Sequence, residues 1–227
     1  EDFSEANNLA ATNPEKLKEL QEVFRKEAIK NHVFPIDDRR SERFDPSIAG
    51  RPDLLGPRKS LTVYEGMVGI AENAFINIKN TNYTITADVE VPKSGANGVI
   101  IAQAGRFGGW ALYMKNNKLQ HEYNFFGLEK TRVSSSAPVS PGPHTFKYEF
   151  LFDGGKPGAG GTSILYVDGQ KVGEAKIPKT QPFAFSADEG VDVGMDGETN
   201  VSDDYKEGDN TFTGKIQQVT VAVPPGK

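Results

Sequence analysis

The 227-residue chain contains no cysteine and carries a net charge of -5 with both signs interspersed. That excludes disulfides, thiolate metal sites and a cysteine nucleophile, and it argues against a nucleic-acid-binding surface. Its 37% hydrophobic content is enough for a core, whereas apolar runs such as "GVIIAQA" are far too short to span a bilayer, and the first residues do not read as a signal peptide.

The chain opens with "NPEKLKELQEVFRKEAIKNHVFPIDDR", residues 13–39, an amphipathic helix by pattern. Asn13 suits the cap, Pro14 the first helical position, and Leu17, Leu20, Phe24 and Ala28 recur at helical spacing beside Val23. Pro35 stops the helix. Residues 35–60, rich in Pro, Gly, Arg and Asp, read as a linker. Within it Arg39, Arg40 and Arg43 form a basic cluster, expected to be solvated or acid-paired.

From residue 61 strands are predicted almost throughout. "NYTITADVEV" (82–91) alternates, "GVIIAQA" (98–104) is a buried run, and Asn116-Asn117 joins two strands in "GWALYMKNNKLQHEYNFF". "HTFKYEFLF" (144–152) alternates again, and Asp168-Gly169 makes "TSILYVDGQKVGEAKI" (162–177) a tight hairpin. "GGKPGAGG" (154–161) reads as a flexible loop, and "TFTGKIQQVTVAV" (211–223) as the closing strand. Ten to twelve short strands at roughly ten-residue intervals predict a mainly β fold, a jelly-roll β-sandwich preceded by one α-helix. The expected organisation is 1–34 helical, 35–60 linker and 61–227 sandwich.

Few constellations promise catalysis. His32, His121 and His144 lie in unrelated segments, and no serine sits in a Gly-x-Ser-x-Gly elbow. Seven carboxylates crowd "SADEGVDVGMDGETNVSDDY" (186–205). If residues 188–196 are extended, Asp188, Asp192 and Asp196 share one face, and with Asp203 they form a candidate calcium site. The competing expectation is a solvated acidic loop. A glycosidase using Asp188, Asp192 or Glu122 is the weaker possibility, because the Glu-x-Asp-x-x-Glu strand signature of laminarinase-like enzymes is missing. Aromatic-rich strands offer Arg106, Trp110, Tyr123 and Asn124, with Phe125 and Phe126, as a candidate glycan site. Alternation buries half of these, and Trp110, flanked by glycines on an apolar strand, is expected in the core.

The helix string and its "PIDDR" turn resemble the segment that closes the catalytic domain of bacterial arylsulfatases. "NIKNTNYTITADVEVP", "GVIIAQAGRFGGWALYMKNNKLQHEYNFFGLEKTRV", "HTFKYEFLFDGG" and "DVGMDGETNVSDDY" resemble the β-rich C-terminal extension of the long members of that family. The resemblance implies a concanavalin A/laminin-G-like sandwich behind a helical remnant, partnered by a sulfatase catalytic domain absent from this chain or by another copy of the chain. It also implies a periplasmic or secreted protein. The family's formylglycine motif, Cys/Ser-x-Pro-x-Arg, is missing: "APVSPGPHT" has Ser140-Pro141 without the arginine. No catalytic residue transfers, and the chain alone is expected to leave sulfate esters intact. The two function expectations are therefore a non-catalytic sulfatase accessory domain and a stand-alone lectin-like module for a glycan or sulfated ligand.

Overall fold

The structure, a computed structural model, describes residues 3–4, 6–39, 50 and 54–224. The chain divides into two units, Glu1–Arg51 and Pro52–Lys227.

The first unit is built on helix α1, Pro14–Lys30. Pro14 supplies the pre-set φ of a first turn, and Lys30 complements the carbonyl end of the dipole. Asn13 departs from the sequence expectation: its side-chain amide donates to the Leu9 carbonyl rather than accepting from the helix. Of the apolar stripe only Ala28 is buried, while Leu17, Leu20, Val23 and Phe24 stay exposed. Arg39 is held by Asp37 through two nitrogens, at 2.8 and 3.0 Å. Arg40 and Arg43 lie outside the described residues.

In the second unit the described residues form two antiparallel sheets. One has six strands in the order β1 (Ser60–Val63), β11 (Lys215–Ala222), β2 (Tyr83–Val91), β7 (Gly142–Phe152), β8 (Ala159–Val167), β9 (Gln170–Lys179). The other has five, in the order β10 (Val191–Val193), β3 (Gly98–Gly105), β4 (Gly108–Lys115), β5 (Lys118–Phe125), β6 (Glu129–Ser134). The alternation that predicts β2 does place Tyr83, Ile85, Ala87, Val89 and Val91 inward. They meet Ile101, Trp110, Leu112, Met114 and Leu119 from the facing sheet in one core. This is a mainly β, jelly-roll sandwich.

Two glycines explain local departures. Residues 154–161 are not all loop, because Gly160 and Gly161 enter β8. A Cβ on Gly161 would stand 2.3 Å from the Phe150 ring, so only glycine lets the strands close there. Gly98 has φ +99°, and its Cβ would lie 2.2 Å from the Thr211 carbonyl oxygen. That contact brings the segment after residue 194 back over the five-stranded sheet.

Candidate functional site

Strand alternation gives the five-stranded sheet an outer face as well as a core face. Across it one register row reads Asp192, Ala102, Ala111, Glu122, Arg132. A second runs Tyr113, Gln120, Ser134, and in a third Asn124 stands between Gly109 and Lys130. This face is not bare. The segment from Gly194 to Asn210, here called the strap, crosses it and buries Val201 against Val99, Ala102, Ala111 and Tyr113.

The strap is anchored by buried polar groups. The Asp196 carboxylate accepts the Val201 amide at 2.9 Å and the Tyr205 hydroxyl at 2.5 Å. Asn210 donates to the Asp196 carbonyl at 2.7 Å and to the Lys206 carbonyl at 3.1 Å. Burial pushes the Asp196 carboxyl up to about 7, against the pull of the Tyr205 and Val201 hydrogen bonds, with the Asp192 and Glu189 charges adding to the rise. Tyr205 packs edge-on against Tyr113, 5.3 Å between ring centroids.

Along one border of the face the strap's carboxylates meet two cations of β6 and one of the β3–β4 turn. Lys130 pairs with Asp203 at 2.8 Å, Arg132 with Asp204 at 3.1 Å, and Arg106 with Glu207 at 2.5 Å. Arg132 also binds the buried Glu122 through two nitrogens, at 2.7 and 2.6 Å. The hydrogen bond from Lys130 holds the Asp203 carboxyl below the usual carboxylate range, and the charges of Lys130, Arg132 and Arg106 all act in the same direction.

At the end of this border two turns abut, Gly105–Gly108 between β3 and β4 and Phe126–Leu128 between β5 and β6. A Cβ on Gly127 would lie 3.0 Å from the Arg106 carbonyl oxygen. Asn124 fastens both turns and the strap. Its side-chain nitrogen donates to the carbonyls of Gly105 (3.1 Å), Arg106 (3.0 Å) and Val201 (3.3 Å), while its oxygen accepts from the Gly127 amide (2.8 Å). Held in this way, the turns present Phe107, 74% exposed, Leu128, 82% exposed, and the half-exposed Phe126 to solvent. Phe126 leans edge-on against Phe125, with Lys179 Nζ 4.7 Å from the Phe125 centroid.

The glycan residues expected from sequence are thus split. Arg106 is exposed, but Trp110, Tyr123 and Asn124 are buried and cannot touch a ligand. Trp110 and Tyr123 are register partners pointing into the core. The indole nitrogen donates to Gln103 at 2.9 Å, and the Tyr123 hydroxyl accepts the Gln181 amide at 2.8 Å. Phe107, not among the residues singled out from sequence, is the exposed aromatic of this turn; its place inside the glycine-bounded "GRFGG" is the sequence signal for it.

The calcium expectation does not fit the donor set. Only Val191–Val193 is extended, so Asp188, Asp192 and Asp196 do not share a face. Asp188 is exposed and accepts the Ser186 hydroxyl at 2.8 Å. Asp192 has one oxygen on the Gly69 amide and the other on the Gly197 amide, Asp196 is buried in the strap, and Asp203 faces Lys130. Among the described residues no three His, Cys, Asp or Glu side chains stand where they could hold a metal ion. Nor do Asp188, Asp192 and Glu122 make a glycosidase pair, since Glu122 is buried against Arg132. A cavity of about 250 Å³ does open beside β10, lined in part by Val68, Ala104, Glu189, Asp192 and Met195.

No protein-family model and no curated protein matches the chain. Among solved structures, Ruminococcus gnavus IT-sialidase CBM40 bound to alpha2,6 sialyllactose is similar at 15% identity, covering 73% of this chain and 90% of that one with a TM-score of 0.49. Domains LG4-5 of the mouse laminin alpha1 chain are 16% identical over 76% of this chain, with a TM-score of 0.44; the match spans only 40% of the laminin chain. The SAP-like pentraxin of Limulus polyphemus is 13% identical, covering 74% of this chain and 79% of that one, with a TM-score of 0.40.

Proposed function

We propose that the second unit is a non-catalytic carbohydrate-binding module that takes its glycan at the paired turns. One observation carries this reading. Phe107 and Phe126 project from two abutting turns that a buried Asn124 holds rigid, next to the Arg106–Glu207 pair. Aromatic faces pack on the apolar C–H surface of a sugar ring, and neighbouring carboxylate and guanidinium groups accept from and donate to its hydroxyls. Pinning the turns beforehand lowers the ordering cost of binding. A glycan array identifies the ligand, and titration of the strongest hit tests the site. Phe107→Ala and Phe126→Ala each weaken binding about tenfold, the equivalent of ~1.4 kcal/mol. An array on which the wild-type protein binds nothing would sink the reading.

The exposed stripe of α1 favours a second reading, that of an accessory piece of a sulfatase. Leu17, Leu20, Val23 and Phe24 form an exposed apolar face, with the Phe34 ring edge-on to Phe24, as expected of a helix that packs on a larger domain. Its test is the coding sequence upstream of Glu1. An in-frame Cys/Ser-x-Pro-x-Arg supports it, and an upstream region coding for no sulfatase domain removes it.

A further inference from the structure

We propose that the strap carboxylates Asp203 and Glu207 act as a built-in competitor for a polyanionic glycan, occupying the two cations, Lys130 and Arg106, that its sulfate or carboxylate groups would otherwise engage. The inference rests on the carbohydrate-binding reading and names the ligand class of the same site.

The geometry supplies the argument. Two cations of strand β6, Lys130 and Arg132, and one of the β3–β4 turn, Arg106, each meet a different carboxylate of a single strap. Arg106 is 60% exposed and open to a ligand, whereas Lys130 is 24% exposed beneath Asp203 and Arg132 is held by the buried Glu122. The two competing carboxylates are accessible, Asp203 at 87% and Glu207 at 48%, whereas Asp204 is 22% exposed and accepts the Tyr113 hydroxyl at 2.8 Å. Exposed ion pairs of this kind are weak, because water and salt screen them. A chain of sulfates running along the border could exchange for Asp203 and Glu207 in turn, while the strap backbone stays fixed by Val201, Asp196, Asn210 and Asn124. The exposed Phe107 and Phe126 at the end of the border would meet the sugar rings of the same chain. The carboxylates therefore set a threshold: isolated anions do not displace them, and a repeating polyanion does.

The test compares dextran sulfate with unsulfated dextran of equal length, at low and at physiological salt, by titration calorimetry. Asp203→Asn/Glu207→Gln removes both competitors without touching a buried group. It is expected to raise dextran sulfate affinity about fivefold or more at low salt, with a gain that salt erodes. Adding Arg106→Gln/Lys130→Gln is expected to abolish the gain. Asp153→Asn/Glu174→Gln, the same charge change on the other sheet, is expected to produce none. Unchanged affinity in the strap variant, or an equal gain in the control, overturns the inference. Binding of the array glycan, and its loss in Phe107→Ala, is measured separately. If the array glycan binds but the strap variant shows no gain, only the competitor fails; if no variant binds any glycan, both readings fall.

Discussion

The Tyr205 hydroxyl donates to the buried Asp196 carboxylate at 2.5 Å and ties the far end of the strap to its start. Deprotonating Asp196 places a charge where burial disfavours it, so its folded value stands at about 7 against an ordinary 3.8. A raised carboxyl contributes stability that is fully present below about 3.8 and is lost as pH rises through about 7. Over that window the folded state holds the extra proton, and stability falls by about 1.4 kcal/mol per pH unit.

His121 works in the opposite direction. Its ring stacks on Tyr148 at 3.6 Å between centroids and on Trp110 at 6.2 Å, with neither ring nitrogen hydrogen-bonded. Burial lowers it from 6.5 to about 3. A depressed histidine contributes stability that is present above about 6.5 and is lost as pH falls towards 3. Between about pH 4 and 6.5 the two slopes cancel, so single variants reveal what the wild type hides. Asp196→Asn is expected to leave a melting temperature that rises with pH from about 3 to 6.5. A thermal-shift series in which this variant keeps the wild-type slope would contradict the assignment.

His121→Phe should give the mirror image. No hydrogen bond is lost, because the imidazole makes none, and the aromatic stack is retained. Stability at pH 7 is expected to fall by about 1–3 kcal/mol, the usual cost of adding volume to a packed core. The melting temperature then falls as pH rises from about 4 to 7, following Asp196 alone. A profile parallel to that of the wild type would show that His121 does not titrate in this range.

Much of the sandwich is legible in the sequence because its signals are local. The inward alternation of Tyr83 to Val91 and the hairpin at Asp168-Gly169 each need only a few neighbouring residues. The core position of Trp110 follows in the same way from its glycine-flanked apolar strand. The strap is different. In "DVGMDGETNVSDDY" the carboxylates look alike, yet Asp192 accepts two amides, Asp196 is buried and Asp203 is exposed to Lys130. Their roles depend on partners in other strands, which chain spacing does not encode. Asn124 was legible as a polar residue among aromatics, but its four bonds to three segments were not.

Asn124 gives the third prediction. Asn124→Ala withdraws one donor group from three carbonyls and one acceptor from the Gly127 amide, at a cost of about 2 kcal/mol for a buried network of this kind. Asn124→Asp is expected to cost more at neutral pH, since it sets a carboxylate against the Gly105, Arg106 and Val201 oxygens, and to recover partly on acidification. Hydrogen exchange should rise first at Gly105–Gly108 and Phe126–Leu128. Unaltered exchange there in both variants would mean that the turns are held by something other than Asn124.

The single tryptophan allows the proposed glycan site to be checked directly. Trp110 is fully buried, with its indole nitrogen bonded to Gln103, so its emission should be blue-shifted and resistant to acrylamide. Glycan binding at Phe107 and Phe126 should leave that emission nearly unchanged, because the ligand meets the turn tips and not the core. Trp110→Phe leaves the Gln103 oxygen without its donor and thins the core, and it is expected to destabilise by about 2 kcal/mol or more while sparing the affinity of the folded protein. If ligand instead quenches Trp110 strongly, or Trp110→Phe abolishes binding without loss of stability, then the indole reaches the sugar, and the glycan is not held at the turn tips.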